Sequence, residues 1–462
     1  MRRSPSLIIL IVAIIILAIL SVLPWNSMTR GHLKDFNLLS DLMPSSSIEN
    51  LPANTNIDPE LAALSVSQND SSSQVVETDT VIEKPMPERV LPENFVVPRI
   101  DGAVAIEDYS SDGSGLSTLA RKFSEASSRN VRIAMVGDSY IEGDILAQDI
   151  RAGLQEKYGG RGVGYVAAFS SFPGFRQSVS QAASGWEEHE IRKMKNDPLR
   201  TILGTYYSST GSADSRFRKS VKPSRLDFWD RTTVLFTTQT GGTISFSEPE
   251  SEAKTFEVQA SDKIQKLSLE GRSEDIRFKS SIPDLKVLGF WLEGKNGIVL
   301  DDISLRGNSG ISHRTLNANA TQEMREYIDY DLIILEFGMN ALSAQQTNYS
   351  AYGDAMVEVV KNLKNLYPRA QILIMGVGDR GQKNGSDVIS MPTTRALIDA
   401  QRKVALKTGS LFWDTREAMG GEGAANEWHQ RKLVNSDYVH LNHRGGKELA
   451  EIFLNSLEVS LK

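Results

Sequence analysis

Residues 131–139 have the sequence VRIAMVGDS, in which an apolar run ends in a Gly-Asp-Ser turn. A short apolar run that stops at a glycine-containing turn predicts a buried strand. Ser139 would then lie at the carboxyl end of that strand, and this edge of an α/β sheet is where ligands usually bind. The segment therefore predicts an α/β fold with a functional serine at the edge of its sheet.

A second segment, Asp437-Tyr438-Val439-His440, supplies what a nucleophilic serine needs. A serine hydroxyl is a poor nucleophile until a base takes its proton, and a third group must hold that base. Of the six histidines, only His440 has a carboxylate three residues before it. Two alternatives stay open: a capping turn with a core histidine, and a metal site begun by Asp437, His440 and His443, which no further His or Cys cluster completes.

Two glycine-containing segments are candidates for binding the oxyanion of an acyl-transfer intermediate, 307–310 (Gly-Asn-Ser-Gly) and 338–340 (Gly-Met-Asn). The second follows an apolar run at 331–337 that predicts another buried parallel strand, so Asn340 should emerge at the same sheet edge as Ser139. Its amide can donate to an oxyanion, and Gly310 can present a bare backbone N–H. Ordinary turn chemistry is the alternative for both segments.

The order Gly-Asp-Ser, Gly, Gly-x-Asn and Asp-x-x-His resembles the four sequence blocks of the SGNH (GDSL-type) hydrolases. The resemblance implies a three-layer α/β sandwich with a parallel sheet, and an ester hydrolase that uses neither a metal nor an organic cofactor. It implies the following roles: Ser139 as nucleophile, Asp437 and His440 as the rest of the triad, and Ser139, Gly310 and Asn340 as oxyanion donors. Gly307 is an alternative match for the second block, and Ala341 stands where the third block commonly has Asp.

A narrower resemblance involves residues 137–144 (GDSYIEGD), 159–164 (GGRGVG), 412–414 (FWD) and 418–421 (AMGG). These are similar to segments of the periplasmic peptidoglycan O-acetylesterases, in which a carbohydrate-binding-like β-domain interrupts the hydrolase fold. The resemblance covers roughly residues 115–460. It implies that an acetylated cell-wall or other envelope glycan is the binding partner.

The amino terminus predicts a membrane anchor. Arg2 and Arg3 precede an apolar run at 7–23 that contains no charge, and Trp25 follows at the far interface. No small-x-small cleavage site follows the run, so we expect an uncleaved single-pass anchor at 1–25 in the bacterial inner membrane, with the rest of the chain in the periplasm. A cleaved signal peptide is the alternative.

The remaining chain divides by composition and periodicity. Residues 26–114 are rich in Ser, Pro, Asn and Glu over most of their length and predict a disordered tether. Residues 115–180 and 306–462 have α/β patterns and predict the two parts of one hydrolase domain. In the second part the expected elements are strand 331–337, helix 350–366, strand 371–377, helix 393–407, strand 410–413 and a final helix from 445.

Between these two parts, residues 181–305 predict an inserted β-sandwich, the insert. Short pieces of alternating apolar and polar residues suggest its strands: 232–239, 243–246, 256–260, 266–269, 287–292 and 298–305. Trp229 and Trp291 of the insert are candidates for stacking on sugar rings. Burial in the core of the sandwich is the alternative for both side chains.

Composition excludes some classes of function. The chain has no cysteine, which rules out a cysteine nucleophile, disulfides and thiolate metal sites. The net charge of −7 argues against a dedicated nucleic-acid-binding protein.

Three functions remain. The first is an esterase that removes O-acetyl groups from peptidoglycan or another envelope polysaccharide. The second is a polysaccharide O-acetyltransferase with the same triad, in which a sugar hydroxyl replaces water and a membrane O-acyltransferase would be a partner. The third is a catalytically inactive carbohydrate-binding scaffold. Residue identities do not separate the first two, because both pass through the same acyl-enzyme.

Overall fold

The computed structural model describes residues 60, 61, 64, 95–220 and 225–462. The predicted anchor at 1–25 and nearly all of the predicted tether before residue 95 lie outside these residues. Within the described part of the chain, no helix is both long and apolar enough to cross a membrane. All of the described residues belong to one compact unit, Ile57–Lys462.

Helices and strands alternate in both halves of this unit, with a long run of strands between them. The helices are α1 Gly115–Ser124, α2 Ala147–Tyr158, α3 Ala318–Arg325, α4 Ser350–Leu366, α5 Thr394–Thr408, α6 Thr415–Met419, α7 Ala424–Gln430 and α8 His443–Ser460, with short 3₁₀ turns at Glu125–Ser127, Glu142–Asp144 and Ile311–Thr315. The strands are β1 Arg99–Ile100, β2 Ala103–Val104, β3 Glu107–Asp108, β4 Asn130–Gly137, β5 Gly162–Val166, β6 Val179–Glu190, β7 Thr205–Lys219, β8 Trp229–Thr238, β9 Gly242–Ser247, β10 Lys254–Val258, β11 Ser261–Ser273, β12 Asp275–Ser280, β13 Lys286–Glu293, β14 Gly297–Ser304, β15 Leu332–Glu336, β16 Gln371–Met375, β17 Gly381–Asn384, β18 Asp387–Ser390 and β19 Leu411–Trp413.

A six-stranded sheet forms the centre of the α/β part, in the order β14-β4-β15-β16-β19-β3. The first five strands run parallel, and β3 is antiparallel to β19 at one edge. The central strands β15 and β16 are largely apolar, and all of their residues except Gln371 are buried. Helix α4 packs on α5, and α2 packs on α8. Parallel order brings the carboxyl ends of β4 and β15 to the same edge, as the sequence predicts.

A nine-stranded antiparallel sheet contains β5 to β13, in the order β10-β9-β12-β7-β13-β8-β11 with β5 on β13 and β6 on β7. It has an apolar core of its own. Phe278 and Phe290 lie on strands that are not hydrogen-bonded to each other, yet their ring centroids are 5.1 Å apart. The hydrogen-bonded strands of the insert thus connect into one sheet, and its arrangement as a β-sandwich stays a prediction.

Strand β14 corrects the predicted end of the insert. The sequence grouped 298–305 with the strands of the insert, but β14 pairs in parallel with β4 along its whole length and belongs to the six-stranded sheet. Strand β5, in turn, lies before the predicted start of the insert at 181 and pairs with β13 of the nine-stranded sheet. Local periodicity does not reveal either placement, because the partner strand is distant in sequence.

Asp301 of β14 joins the two sheets. Its carboxylate is fully buried and accepts hydrogen bonds from the Tyr165 backbone N–H at 2.8 Å, the Trp291 indole N–H at 2.8 Å and the Tyr330 hydroxyl at 2.9 Å. Three donors are what a buried carboxylate needs to offset its lost hydration.

This arrangement contradicts the prediction that Trp229 and Trp291 stack on sugar. Both side chains have no exposed surface, and each indole N–H donates within the protein, Trp229 to the Thr232 hydroxyl and Trp291 to Asp301. A ring without exposed surface has no face to offer a polysaccharide. The physical reason is that each packs in an apolar core, Trp229 in that of the insert and Trp291 in that of the α/β part.

Candidate active site

Strand β4 delivers Ser139 to the carboxyl edge of the six-stranded sheet. Its last residue, Gly137, lies so close to the neighbouring strand that a Cβ there would be 2.6 Å from the Glu336 carbonyl oxygen. Only glycine permits this approach. Ser139 follows two residues later and is half-buried, so its hydroxyl is held by the sheet yet remains accessible.

The structure brings Ser139, His440 and Asp437 into one hydrogen-bonded chain. The Ser139 Oγ lies 2.9 Å from His440 Nε2, and His440 Nδ1 lies 2.7 Å from Asp437 Oδ2. An ionised carboxylate can only accept, so Nδ1 carries the proton and Nε2 is free to accept from the serine hydroxyl. This tautomer is the one that a general base toward serine requires.

A tight loop between helices α7 and α8 holds the acid and the base. Its two sides pair at Val434 and Leu441, and the Asn435 backbone N–H donates to the His440 carbonyl at 2.9 Å. Tyr438, with a φ of 58°, lies at the tip in the left-handed region. Its carbonyl accepts the Gly381 N–H at 2.9 Å, which attaches the loop to the β17–β18 hairpin.

The electrostatics of Asp437 suit a base-orienting carboxylate. Burial alone would raise its pKa, but hydrogen bonds and the nearby His440 imidazole hold the pKa below its ordinary value. The Oδ1 atom accepts the backbone N–H groups of Val439 and His440 at 2.9 and 3.0 Å. The Arg380 guanidinium donates to the Met339 and Leu342 carbonyls. Burial lowers its pKa, and the charge of Asp437 offsets part of that shift.

The predicted oxyanion residue Asn340 does lie at this edge, beside the residue that precedes the serine. Its amide Nδ2 donates to Asp138 Oδ2 at 2.8 Å and to the Asn308 carbonyl at 3.1 Å. Asn340 thus ties the Gly-Asp-Ser turn to segment 307–310. Both amide hydrogens have protein acceptors here, so donation to an oxyanion requires one of these bonds to be shared, and the role of Asn340 stays a prediction.

Gly310 lies in the left-handed region of the backbone, with a φ of 89°. Its N–H donates to the side-chain oxygen of the buried Asn308 at 3.0 Å. The same oxygen accepts the Ser312 hydroxyl at 3.2 Å. The Gly310 N–H is therefore already engaged. Gly307, the alternative match, has a φ of 75°, and its carbonyl accepts from Arg192.

Two buried carboxylates beneath the nucleophile were not anticipated from the sequence. Asp138 has no exposed surface, and burial raises its pKa to about 6 although it accepts from the Tyr140 N–H and Asn340. Glu336 lies opposite Gly137 on β15, and within the described residues neither of its carboxylate oxygens has a hydrogen-bond partner. Burial and the charge of Asp138 raise the pKa of Glu336 well above its ordinary value. The only signal in the sequence was a glutamate at the end of an apolar strand.

Within the described residues, no three His, Cys, Asp or Glu side chains are clustered so that they could hold a metal ion. His443, the third member of the alternative metal site, instead begins helix α8 with its Nε2 3.1 Å from the Phe175 carbonyl. The geometry around Ser139 presents a serine hydroxyl, an imidazole and a carboxylate in hydrogen-bonded order.

The comparisons with known proteins agree with this geometry. Residues 286–447 match the GDSL-like Lipase/Acylhydrolase family. The matched stretch includes Gly310, Asn340, Asp437 and His440, while Ser139 precedes it. A comparison with curated protein sequences gave no match.

One solved structure is similar over most of the chain. A structure described as "Peptidoglycan O-acetylesterase in action, 5 min" is 20% identical, covers 77% of this chain and 99% of its own, and has a TM-score of 0.64. An acetyl xylan esterase is 17% identical over 34% of this chain and 81% of its own, with a TM-score of 0.27. A family two carbohydrate esterase from Cellvibrio japonicus is 11% identical over 61% of this chain and 98% of its own, with a TM-score of 0.24.

At 20% identity, the first of these similarities establishes the fold. The family match and this fold lead to the same result. The chain contains a GDSL-like lipase/acylhydrolase, or SGNH, domain and shares the fold of a peptidoglycan O-acetylesterase structure.

Proposed function

We propose that the protein is a serine esterase that removes O-acetyl groups from peptidoglycan or another cell-envelope polysaccharide. The hydrogen-bonded chain from Ser139 through His440 to Asp437 carries the proposal. The similarity of fold to a peptidoglycan O-acetylesterase supports the choice of substrate.

The chemistry begins with the Ser139 hydroxyl. Its oxygen attacks the acetyl carbonyl carbon, and its proton moves to His440 Nε2. The bond between the acetyl carbon and the sugar oxygen then breaks, and His440 returns the proton to that oxygen. Water next attacks the acetyl-serine while His440 takes its proton, and acetate leaves as the serine regains a proton. Asp437 stays ionised throughout and stabilises the imidazolium, consistent with its lowered pKa.

The oxyanion that forms twice in this sequence needs donors that are already in place. The Ser139 backbone N–H is the first candidate, because no acceptor in the described part of the chain receives it. Asn340 and Gly310 are the others, and the oxyanion would share the hydrogens that Asp138 or Asn308 now accept. Loss of one such donor typically lowers kcat by about 10²–10³.

The test is release of acetate from O-acetylated peptidoglycan sacculi by the purified full chain in detergent, with mass analysis of the muropeptides. Hydrolysis of 4-nitrophenyl acetate is measured in parallel. Ser139→Ala and His440→Ala should each abolish both activities, and the double variant should be scarcely worse because triad members act as a unit. Ser117→Ala, an exposed serine on α1, is the matched control.

Each outcome separates one part of the proposal. Turnover of 4-nitrophenyl acetate without release of acetate from sacculi would contradict peptidoglycan as the substrate. Retained turnover in a folded Ser139→Ala variant would contradict the mechanism. Transfer of the acetyl group to added unacetylated glycan, in preference to water, would favour the acetyltransferase with a membrane O-acyltransferase as its partner.

We also propose a location for this activity. The charge-free apolar run 7–23, preceded by Arg2 and Arg3, would anchor the chain in the bacterial inner membrane, with the catalytic unit beside the glycan in the periplasm. Carbonate extraction of membranes and protease treatment of spheroplasts test this. The full chain should resist extraction and be degraded from outside, and extraction of the full chain by carbonate would contradict an uncleaved anchor.

A further inference from the structure

Two exposed phenylalanines lie in one turn between β5 and β6. Phe172 is 59% exposed and Phe175 is 40% exposed. The residues between them are Pro173 and Gly174, and the Phe175 N–H donates to the Phe172 carbonyl at 3.0 Å, which closes the turn. Two neighbouring phenyl rings in water lose the benefit of burial, so the turn calls for a functional explanation.

Phe175 touches both segments that lead away from the triad. Its ring lies against Gly143, four residues after the nucleophile, so closely that a Cβ there would collide with it. The ring centroid is also 6.0 Å from that of His443, three residues after His440. Phe175 therefore lies where the chain from the serine and the chain from the histidine meet.

Phe172 lies on the side of the second sequence block. The Arg306 guanidinium is 5.2 Å from its ring centroid and forms an ion pair with Glu142 at 2.7 Å. Arg306 directly precedes segment 307–310, and Glu142 belongs to the segment after Ser139. The charged, hydrogen-bonding pair thus lies directly beside the exposed ring, with the guanidinium over one of its faces.

A buried charge cluster fixes the turn in place. Arg176, next to Phe175, donates to the Tyr165 carbonyl at 3.0 Å and pairs with Asp144 at 3.3 Å. Asp144 is fully buried and holds Arg151 through two hydrogen bonds of 2.7 Å. Because these groups are locked, the two rings are presented in a defined position without a cost of ordering when a ligand arrives.

We propose that Phe172 and Phe175, the aromatic rim, bind a sugar ring of the polysaccharide whose acetyl group reaches Ser139. This assignment rests on the proposed function and replaces the buried Trp229 and Trp291 as the glycan contact. A sugar ring has an apolar face that stacks on a phenyl ring and hydroxyls at its edge that bond to charged groups, as Arg306 and Glu142 offer. A fatty acyl chain has no hydroxyl groups that could bond to that ion pair.

The test compares kcat/KM on O-acetylated peptidoglycan with kcat/KM on 4-nitrophenyl acetate. In Phe172→Ala the ratio of the two should fall about fivefold, and in the double Phe172→Ala/Phe175→Ala variant it should fall further. Phe172→Tyr keeps an aromatic face and should retain the ratio. Ile100→Ala, which shortens an exposed apolar side chain on β1, is the matched control.

Binding by the inactive enzyme gives a second measurement. Ser139→Ala protein should pull down with unacetylated sacculi, and adding Phe172→Ala should weaken that binding by a similar factor. If the parent deacetylates sacculi and the ratio is unchanged in Phe172→Ala, the aromatic rim does not bind the sugar ring. The proposed function would be left intact. A selective loss on long-chain 4-nitrophenyl esters would also contradict sugar binding by the aromatic rim, because the rim would then bind acyl chains.

Discussion

Asp437 acts on His440 through two different atoms. Oδ2 accepts the imidazole Nδ1–H, while Oδ1 accepts the backbone N–H groups of Val439 and His440. The carboxylate therefore fixes both the ring and the backbone from which the ring projects. All of these bonds span three residues or fewer, so the Asp-x-x-His spacing is enough to produce them.

Replacing Asp437 with Asn should remove activity while preserving the loop. The Asn oxygen can still accept the two backbone N–H groups, but its NH₂ cannot accept from Nδ1, so the imidazole would adopt the wrong tautomer. We expect kcat for 4-nitrophenyl acetate to fall about 10⁴-fold with little change in melting temperature. Asp387→Asn on the exposed β18 is the control. A fall of less than about tenfold would show that Asp437 does not set the tautomer.

Glu336 poses the opposite electrostatic problem, because it is buried with no hydrogen-bond partner in the described structure. Its pKa in the folded state is raised above that of the unfolded chain. As pH rises past the unfolded value, the unfolded state loses a proton that the folded state keeps. The free energy of unfolding therefore falls with rising pH until the folded state also ionises.

Glu336→Gln should flatten this pH dependence. Because Gln does not titrate, the difference in melting temperature between pH 5 and pH 8 should be about 3 °C smaller than in the parent. The remaining slope would include Asp138, whose raised pKa acts in the same sense. Glu358→Gln on the exposed face of α4 should change nothing. An unaltered slope in Glu336→Gln would mean that the folded protein holds this group ionised.

The roles of residues whose contacts lie close in the sequence could be predicted. The roles of residues whose contacts lie far away in the sequence could not. The Gly-Asp-Ser turn and the Asp-x-x-His loop are local patterns, and the structure brings them into contact. Asn308 bridges Gly310 and Asn340, because its side-chain oxygen accepts the Gly310 N–H and its backbone carbonyl accepts the Asn340 amide. Nothing local marks it for that role. The exposed Phe172 resembles any apolar residue in a loop until the fold places it beside Arg306.

The same distinction between local and distant contacts applies to the helices and strands. Helix α4 has the predicted bounds of 350–366, since its apolar residues repeat with a clear helical period over 17 residues. Helix α8 begins at His443, two residues before the predicted start, because the Asn442 side chain caps it by accepting the Arg444 and Gly445 N–H groups. Strand β14 was assigned to the wrong sheet because its register depends on β4, far earlier in the chain.

The Asp144–Arg151 pair shows how a single buried interaction supports an element. Helix α2 is attached through Arg151 to the turn after the nucleophile, and both side chains have no exposed surface. Removing Arg151 leaves Asp144 charged and buried with its 3.3 Å ion pair to Arg176. The cost of that is about 3–5 kcal/mol in proteins generally.

Arg151→Met should therefore lower the free energy of unfolding by about 3–5 kcal/mol. Denaturant titration measures the loss. The double variant Asp144→Asn/Arg151→Met should lose less than the two single losses added together, because neither charge of the fully buried pair remains. Arg121→Met breaks the exposed pair with Glu125 on α1 and should cost below about 1 kcal/mol. Equal losses in Arg151→Met and Arg121→Met would contradict the importance of burial.

At the scale of the whole molecule, packing and hydrogen bonds join the nine-stranded sheet to the six-stranded sheet. Trp291 of β13 packs on Tyr165 of β5, with ring centroids 5.5 Å apart, and donates to Asp301 of β14. Asp301 lies on the strand beside β4, which carries Ser139. The inserted strands are thus part of the support of the active site, and their composition alone did not reveal this.

Trp291→Ala should consequently act on stability and not on the choice of substrate. Emptying a fully buried indole site typically lowers the free energy of unfolding by about 3–5 kcal/mol. Trp291→Phe keeps a ring but loses the N–H to Asp301, and should lose about 1–3 kcal/mol. Well below the melting temperature, the ratio of kcat/KM on acetylated sacculi to that on 4-nitrophenyl acetate should stay within about twofold of the parent, in contrast to the roughly fivefold fall expected for Phe172→Ala. If Trp291→Ala melted like the parent and lost activity on sacculi alone, the indole would have to contact glycan, and the junction at Asp301 would not be what it supports.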